Sequence, residues 1–163
     1  MEQPDRFHKG PTPNPDNADK NHADAVKAIR AMMDQDRFSQ WMGLVIDECG
    51  SGYCRLHYTI TEDMLNGFGI VHGGILFSAA DSAFAFACNS HNDRVVAAQG
   101  NITFIRPGKL GDRLVATARE ISRSGRSGIY DVRVAVGDTV IAEFRGHSRA
   151  IAGAWLPDTD IKS

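Results

Sequence analysis

The segment Asn66–Ser90, NGFGIVHGGILFSAADSAFAFACNS, is small and apolar nearly throughout. Yet it holds one carboxylate, Asp81, and its apolar run starts behind His72-Gly73-Gly74. An ionised carboxylate is costly to bury unless it is paired, hydrogen-bonded or open to water. Asp81 therefore either accepts hydrogen bonds from a loop and fixes packing, or opens into a cleft as general base or nucleophile. The glycines have two readings as well. They allow a tight turn or close packing, or they leave the first-turn N–H groups of a helix bare. Such groups are unpaired and lie at the positive end of the helix dipole, where a carbonyl oxygen can reach them. That is the chemistry of an oxyanion hole.

Spacing constrains how the two groups combine. Asp81 lies eight residues beyond Gly73. At a rise of ~1.5 Å per residue they stand about 12 Å apart along one helix. A base or nucleophile works within roughly 3 Å of the reacting atoms. If both serve one carbonyl, Asp81 must come from a second copy of the helix. A two-fold dimer with antiparallel helices supplies it and makes two equivalent sites.

The rest of the chain must position these groups. Its 163 residues suit one domain, and 42% hydrophobic with 23% charged residues is a globular composition. A net charge of −2 argues against nucleic acid as the main partner. No stretch is apolar enough for long enough to span a bilayer, and no export pattern opens the chain, so a cytoplasmic protein is expected. Cys49, Cys54 and Cys88 are expected as free thiols, with Cys49 and Cys54 placed to face each other across a hairpin. The six histidines show no metal-ligand spacing, so no metal site is expected. Gly67-x-Gly69-x-x-His72 only approaches the dinucleotide fingerprint and lacks the parallel βαβ unit around it.

Residues 1–20, with four prolines among polar residues, read as a flexible tail, and 154–163 as a loose one. Between them, residues 21–153 form one domain. Val26, Ile29 and Met33 mark an amphipathic helix over about 23–36. Strands are predicted at 42–49 and 53–60 around Gly50-Ser51-Gly52. A loop at 61–71 precedes a long helix at 73–89. Strands follow at 94–106, 112–122, 128–137 and 139–151. Short turns between successive strands favour an antiparallel sheet, and a sheet wrapped round one helix explains a helix apolar on nearly every side. Ser78 and Ser82 read as helix residues that bond back to the backbone, and Cys88 as core.

The pattern Asn66-Gly67-Phe68-Gly69-x-x-His72-Gly73-Gly74-x-x-x-Ser78-x-x-Asp81 resembles the hotdog-fold acyl-CoA thioesterases, closest to the phenylacetate-degradation type. Phe84-Ala85-Phe86-Ala87-Cys88-Asn89-Ser90, Phe104-Ile105-Arg106-Pro107-Gly108 and Gly128-Ile129-Tyr130-Asp131-Val132 extend the likeness over about residues 38–151. The resemblance implies an α+β hotdog fold: a six-stranded antiparallel sheet around the long helix, here with an extra N-terminal helix, paired into dimers and usually tetramers. It implies hydrolysis of aryl-acetyl-CoA-like thioesters, with coenzyme A entering only as part of the substrate and no other cofactor.

Roles follow from the same likeness. The Gly73 amide polarises the thioester carbonyl, with Gly74 and His72 beside it. The partner's Asp81 activates water or attacks directly, and Asn66 places the water or the thioester. His72 can equally be a helix-start residue, and Asn66 a turn residue. Gln99 is the candidate for holding the water from the strand after the helix. Arg123, Ser124 and Arg126, with Arg149 as a further candidate, suit coenzyme A phosphates or are solvated turn residues. Loop 64–71 and Phe77 suit an aryl pocket. A hotdog dehydratase or hydratase would show a proline-rich loop at the helix start, and no proline lies between Thr61 and Pro107. A non-catalytic acyl-CoA-binding module would be expected to lack Asp81 or the glycines.

Overall fold

The computed structural model describes residues 18–157; the tail readings for 1–17 and 158–163 fall outside it. Helices α1 (Ala18–Met33) and α2 (Arg37–Trp41) precede a hairpin of β1 (Val45–Gly50) and β2 (Tyr53–Thr59). A 3-10 turn at Glu62–Met64 leads to the long helix α3 (Gly73–Asn89). Then come β3 (Asp93–Phe104), β4 (Arg113–Ser124), β5 (Ser127–Val136) and β6 (Thr139–Ala154). The strands pair antiparallel in the order β1-β2-β4-β5-β6-β3, so β3 leaves α3 and runs to a sheet edge. This is the α+β hotdog arrangement, with the sheet curled over one helix.

Alternation along the strands builds the cover. On β2, Cys54, Leu56 and Tyr58 are buried while Arg55 and Thr59 are exposed. β4 turns Leu114, Ala116 and Ala118 to the same side, and β5 turns Tyr130, Val132 and Val134. α3 answers with Ala79, Ala80, Ala83 and Ala87, small enough to let the helix lie close to the sheet, and with Phe84 and Phe86 fully buried. Gly100 and Gly146 are cross-strand partners that leave a hollow for rings. A Cβ at Gly146 would stand 2.9 Å from Phe84 and Phe144, and one at Gly100 2.9 Å from Phe144. Into that space Phe144 stacks against Phe77 and Phe84, with ring centroids 5.5 Å and 5.9 Å apart.

A polar cluster ties down the far end of α3. Glu120 Oε2 accepts from Tyr130 Oη at 2.7 Å and pairs with His91 Nε2 at 2.7 Å. With Nε2–H donating to Glu120, the neutral ring leaves Nδ1 to accept from Ser51 Oγ at 3.1 Å. Gly52 N donates to Ser90 Oγ, which donates to Ala87 O. The β1–β2 turn, β4 and β5 are thus fastened to the helix end.

Several boundaries differ from the sequence reading. α1 begins at Ala18, inside the segment read as tail, and ends at Met33. Residues 37–41 form the extra helix α2, so β1 starts at Val45 rather than 42. The cause is local: Asp36 caps α2 by accepting from Ser39 N at 2.9 Å. β6 reaches Ala154. Cys49 and Cys54 are direct cross-strand partners, and the three thiols are free. Among the described residues no helix is long and apolar enough to cross a membrane.

His91, and then Tyr130, hold the Glu120 carboxyl below the usual range by hydrogen bonding. A depressed carboxyl stabilises the fold above its unfolded pKa, and that contribution is lost as pH falls through the folded value. Glu120→Gln is therefore expected to lower the denaturation midpoint at pH 7 and to flatten its decline between about pH 5 and pH 3. Denaturant curves at several pH values check this, and parallel pH dependence in the two proteins would refute it.

Candidate active site

His72 precedes α3 as its N-cap, with φ −65° and ψ 136°. Its Nδ1 accepts from Gly74 N at 2.9 Å. A ring that accepts at Nδ1 carries its proton on Nε2, so the cap turns an N–H outward. Gly73 N–H has no acceptor among the described residues. The sequence offered His72 as a helix-start residue or as a participant; the capping role is now visible, and it leaves the second nitrogen free.

Asn66 shows the same division of labour. Its Oδ1 accepts from Phe68 N at 2.9 Å, and its backbone N–H donates to Ile70 O at 2.8 Å. The acceptor end of the amide shapes the turn, while the donor end has no partner among the described residues. Asn66 and Gly73 line one cleft of about 390 Å³, with Val71, Leu76, Phe104 and Ile105 as apolar wall. Two residues with an unused donor thus line one apolar depression, a setting that strengthens hydrogen bonds to a carbonyl oxygen. Phe104 was not among the sequence candidates. It stands where a Cβ on Gly73 would meet its ring at 3.0 Å, which gives that glycine a steric reason as well.

Asp81 is not in this cleft. It sits two turns along α3, half-buried, with no hydrogen-bond or ion-pair partner among the described residues. Burial pushes its carboxyl above the ordinary aspartate range, and the Asp36 carboxylate adds to the rise. Ser82 differs from its reading. Its hydroxyl lies 2.9 Å from Ser39 Oγ instead of bonding back to the helix. Ser78 does bond back, to Gly74 O at 2.8 Å.

The remaining candidates are dispersed. Phe77 packs on Phe144 at the open flank of α3. Gln99 pairs with His147 and lines a separate cleft with Ser124 and Arg149, on the outer face of the sheet. Neighbouring Gly100 faces inward, toward Phe77 and Phe144. Arg126 donates twice to Ala150 O, at 3.0 and 2.8 Å, and exposed Arg123 reaches Asp93 at 3.3 Å. No group of His, Cys, Asp and Glu suited to a metal occurs among the described residues.

Comparison with known proteins adds a second line of argument. The family model described as "Thioesterase superfamily" matches residues 68–143. The chain is 40% identical over 130 residues to the acyl-coenzyme A thioesterase PaaI of Escherichia coli, covering 79% of this chain and 93% of that one. The structure of the E. coli PaaI protein from the phenylacetic acid degradation operon superposes with a TM-score of 0.80 at 38% identity, over 82% and 97% of the two chains. A phenylacetic acid degradation protein PaaI from Thermus thermophilus matches with a TM-score of 0.69 at 32% identity, over 71% of this chain and all of that one, 100%.

A carboxyl raised by burial opposes folding once it ionises. Its contribution is favourable below the unfolded pKa and is lost as pH rises through the folded one. Asp81→Asn is accordingly expected to raise Tm by a few degrees at pH 7, with the gap closing near about pH 3. Thermal melts across pH check it; a variant less stable at pH 7 would mean that the carboxylate has a partner that holds it.

Proposed function

This chain belongs to the thioesterase superfamily and is an acyl-CoA thioesterase; on that premise we propose that it hydrolyses aryl-acetyl- and hydroxyphenylacetyl-CoA-like thioesters at sites shared between two copies of the chain. The observation that carries the reading is a separation. The bare N–H of Gly73 lines the cleft, while the partnerless carboxylate of Asp81 lies about 12 Å away on the same rigid helix.

In this reading the thioester carbonyl enters the cleft and accepts from Gly73 N–H, with the Asn66 amide and the outward N–H of His72 alongside. Asp81 of the second copy takes a proton from water as the oxygen attacks the carbonyl carbon; in the alternative, Asp81 attacks that carbon and expels the thiolate to leave a mixed anhydride, which water cleaves to the free acid and the Asp81 carboxyl, whose proton passes to the thiolate. A carboxylate with a raised pKa is the better proton acceptor, which favours water activation. The tetrahedral oxyanion is held by the amide donors. Its collapse breaks the C–S bond, releases the free acid, and lets coenzyme A leave with the proton that Asp81 carried. Coenzyme A enters as part of the substrate, and no further cofactor is invoked. Its phosphates would meet Arg123, Ser124 and Arg126 on the β4–β5 hairpin.

The lone edge of β3 supports the two-fold assembly. This strand is 12 residues long and exposed along most of its length, Val96 and Phe104 being about half exposed. An unprotected edge of that length is a template for pairing. Pairing two copies there would set their α3 helices side by side and antiparallel, and dimers of dimers would follow as the cytoplasmic form.

Two substitutions test the roles. Asp81→Asn is expected to lose at least about a hundredfold in kcat on a panel of CoA thioesters. Gly73→Pro removes the amide hydrogen at a position where the first helical turn tolerates proline and ψ 136° at His72 already suits the residue before it, with Gly73→Ala, which keeps the N–H, as the control for the 3.0 Å contact that a Cβ makes with Phe104. It should lose on the order of 10²–10³ in kcat. Mixing the two dead variants should restore one intact site per heterodimer, about a quarter of wild-type activity at random assortment. No recovery in verified heterodimers would sink the shared site.

A further inference from the structure

The segment ahead of the sheet reaches the middle of α3 through buried hydroxyls. Asp36 Oδ1 accepts from Ser39 N at 2.9 Å, and Asp36 Oδ2 accepts from Ser39 Oγ at 2.6 Å. The single hydroxyl proton of Ser39 is thereby committed to Asp36. Ser39 Oγ must then accept from Ser82 Oγ, 2.9 Å away. Ser39 is fully buried and Ser82 nearly so, at 0% and 8% exposure. Ser82 is the residue after Asp81. A chain of three hydrogen bonds therefore fixes the Asp36 carboxylate at the level of Asp81, although the two acids lie 45 residues apart in sequence.

We infer that Asp36, locked in place by Ser39 and Ser82, is a positioning residue that sets the proton affinity of Asp81 from the α1–α2 junction. The inference rests on the catalytic reading of Asp81. Its chemistry is simple. A fixed negative charge disfavours a second one beside it, so Asp81 holds its proton more tightly and, once ionised, is a stronger base. Among the described residues of one copy, no cation pairs with Asp81. The strands packed on α3 bury aliphatic side chains and the neutral phenols of Tyr58 and Tyr130 beneath the sheet. The buried side of α1 is likewise uncharged, with Ala25, Ala28 and Ile29. On α3 itself the Cys88 thiol, raised to about 12 by burial first and then by Asp81, stays neutral. Burial raises the Asp81 carboxyl first, and the Asp36 carboxylate adds to the rise.

A cap alone would have no such effect. Asn and Ser cap helices about as well as Asp but carry no charge. Asp36→Asn and Asp36→Ser, in the full chain, should therefore keep α2 and move the acid limb of the kcat/KM profile to lower pH by about half a unit or more. An unmoved limb in both variants would overturn the inference. So would a shift in only one of them, which marks repacking instead of charge. If either variant fails to fold, an NMR titration of the Asp81 carboxyl in Ser82→Ala takes its place. Cutting the tether should lower that pKa, and an unchanged value would count against the relay. Asp81→Asn separates the two layers of the argument. Near-normal turnover there ends the catalytic reading itself, whereas an inactive Asp81→Asn with an unmoved Asp36 limb ends only this inference.

Discussion

A helix that is apolar on nearly every side needs cover on nearly every side, and α3 leaves open only its first turn and one flank. The sheet curls over it because alternate residues of four strands turn small or aromatic side chains inward. The paired glycines Gly100 and Gly146 provide the depth that the rings of Phe77, Phe84 and Phe144 fill. At the C-terminal end, Glu120, His91, Tyr130 and Ser51 fasten the helix to a turn and two strands. The N-terminal end has one cap, from His72, and its first N–H group stays bare. Rigid at one end and chemically open at the other, the helix becomes a fixed ruler between two functional groups.

The two carboxylates near α3 show what partners do to a buried charge. Glu120 collects two donors, is held below its usual range and stabilises the fold at neutral pH. Asp81 has no donor and a like charge for a neighbour, is pushed above its usual range, and works against folding once ionised. Structural acids are kept where hydrogen bonds offset desolvation. An acid left without them is retained at a cost in stability, which is the usual trade at a site selected for reactivity.

The same helix underlies the proposal that one site is shared between two subunits. Its stiffness keeps Asp81 away from the cleft that Gly73 lines. Its exposed flank and the unpaired β3 edge run beside each other at one side of the sheet. The N-terminal helices cover another part of α3 and bring Asp36 to it through Ser39 and Ser82. The segment before the first strand is thus an integral part of the core and of its electrostatics.

Much of this was legible in the residues. The bounds of α3, the six strands and the cap-and-glycine start at His72-Gly73 follow from periodicity and turn chemistry, which act over a few neighbours. So does the gap between Gly73 and Asp81, because helical rise is a constant of the backbone. Interactions between distant residues were not legible. α2 escaped for a local reason: five residues are too few to show a period, although its cap, Asp36 on Ser39, lies only three residues away. A register shift between Ala97 and Gln99 breaks the two-residue alternation of β3, and the face on which Gln99 lies is seen only against β6. The partner of Ser82 lies 43 residues away. Local sequence determined which groups exist and how far apart the backbone holds them. Packing alone decided which of them share a desolvated space, because that depends on contacts that close only when the whole sheet is wrapped.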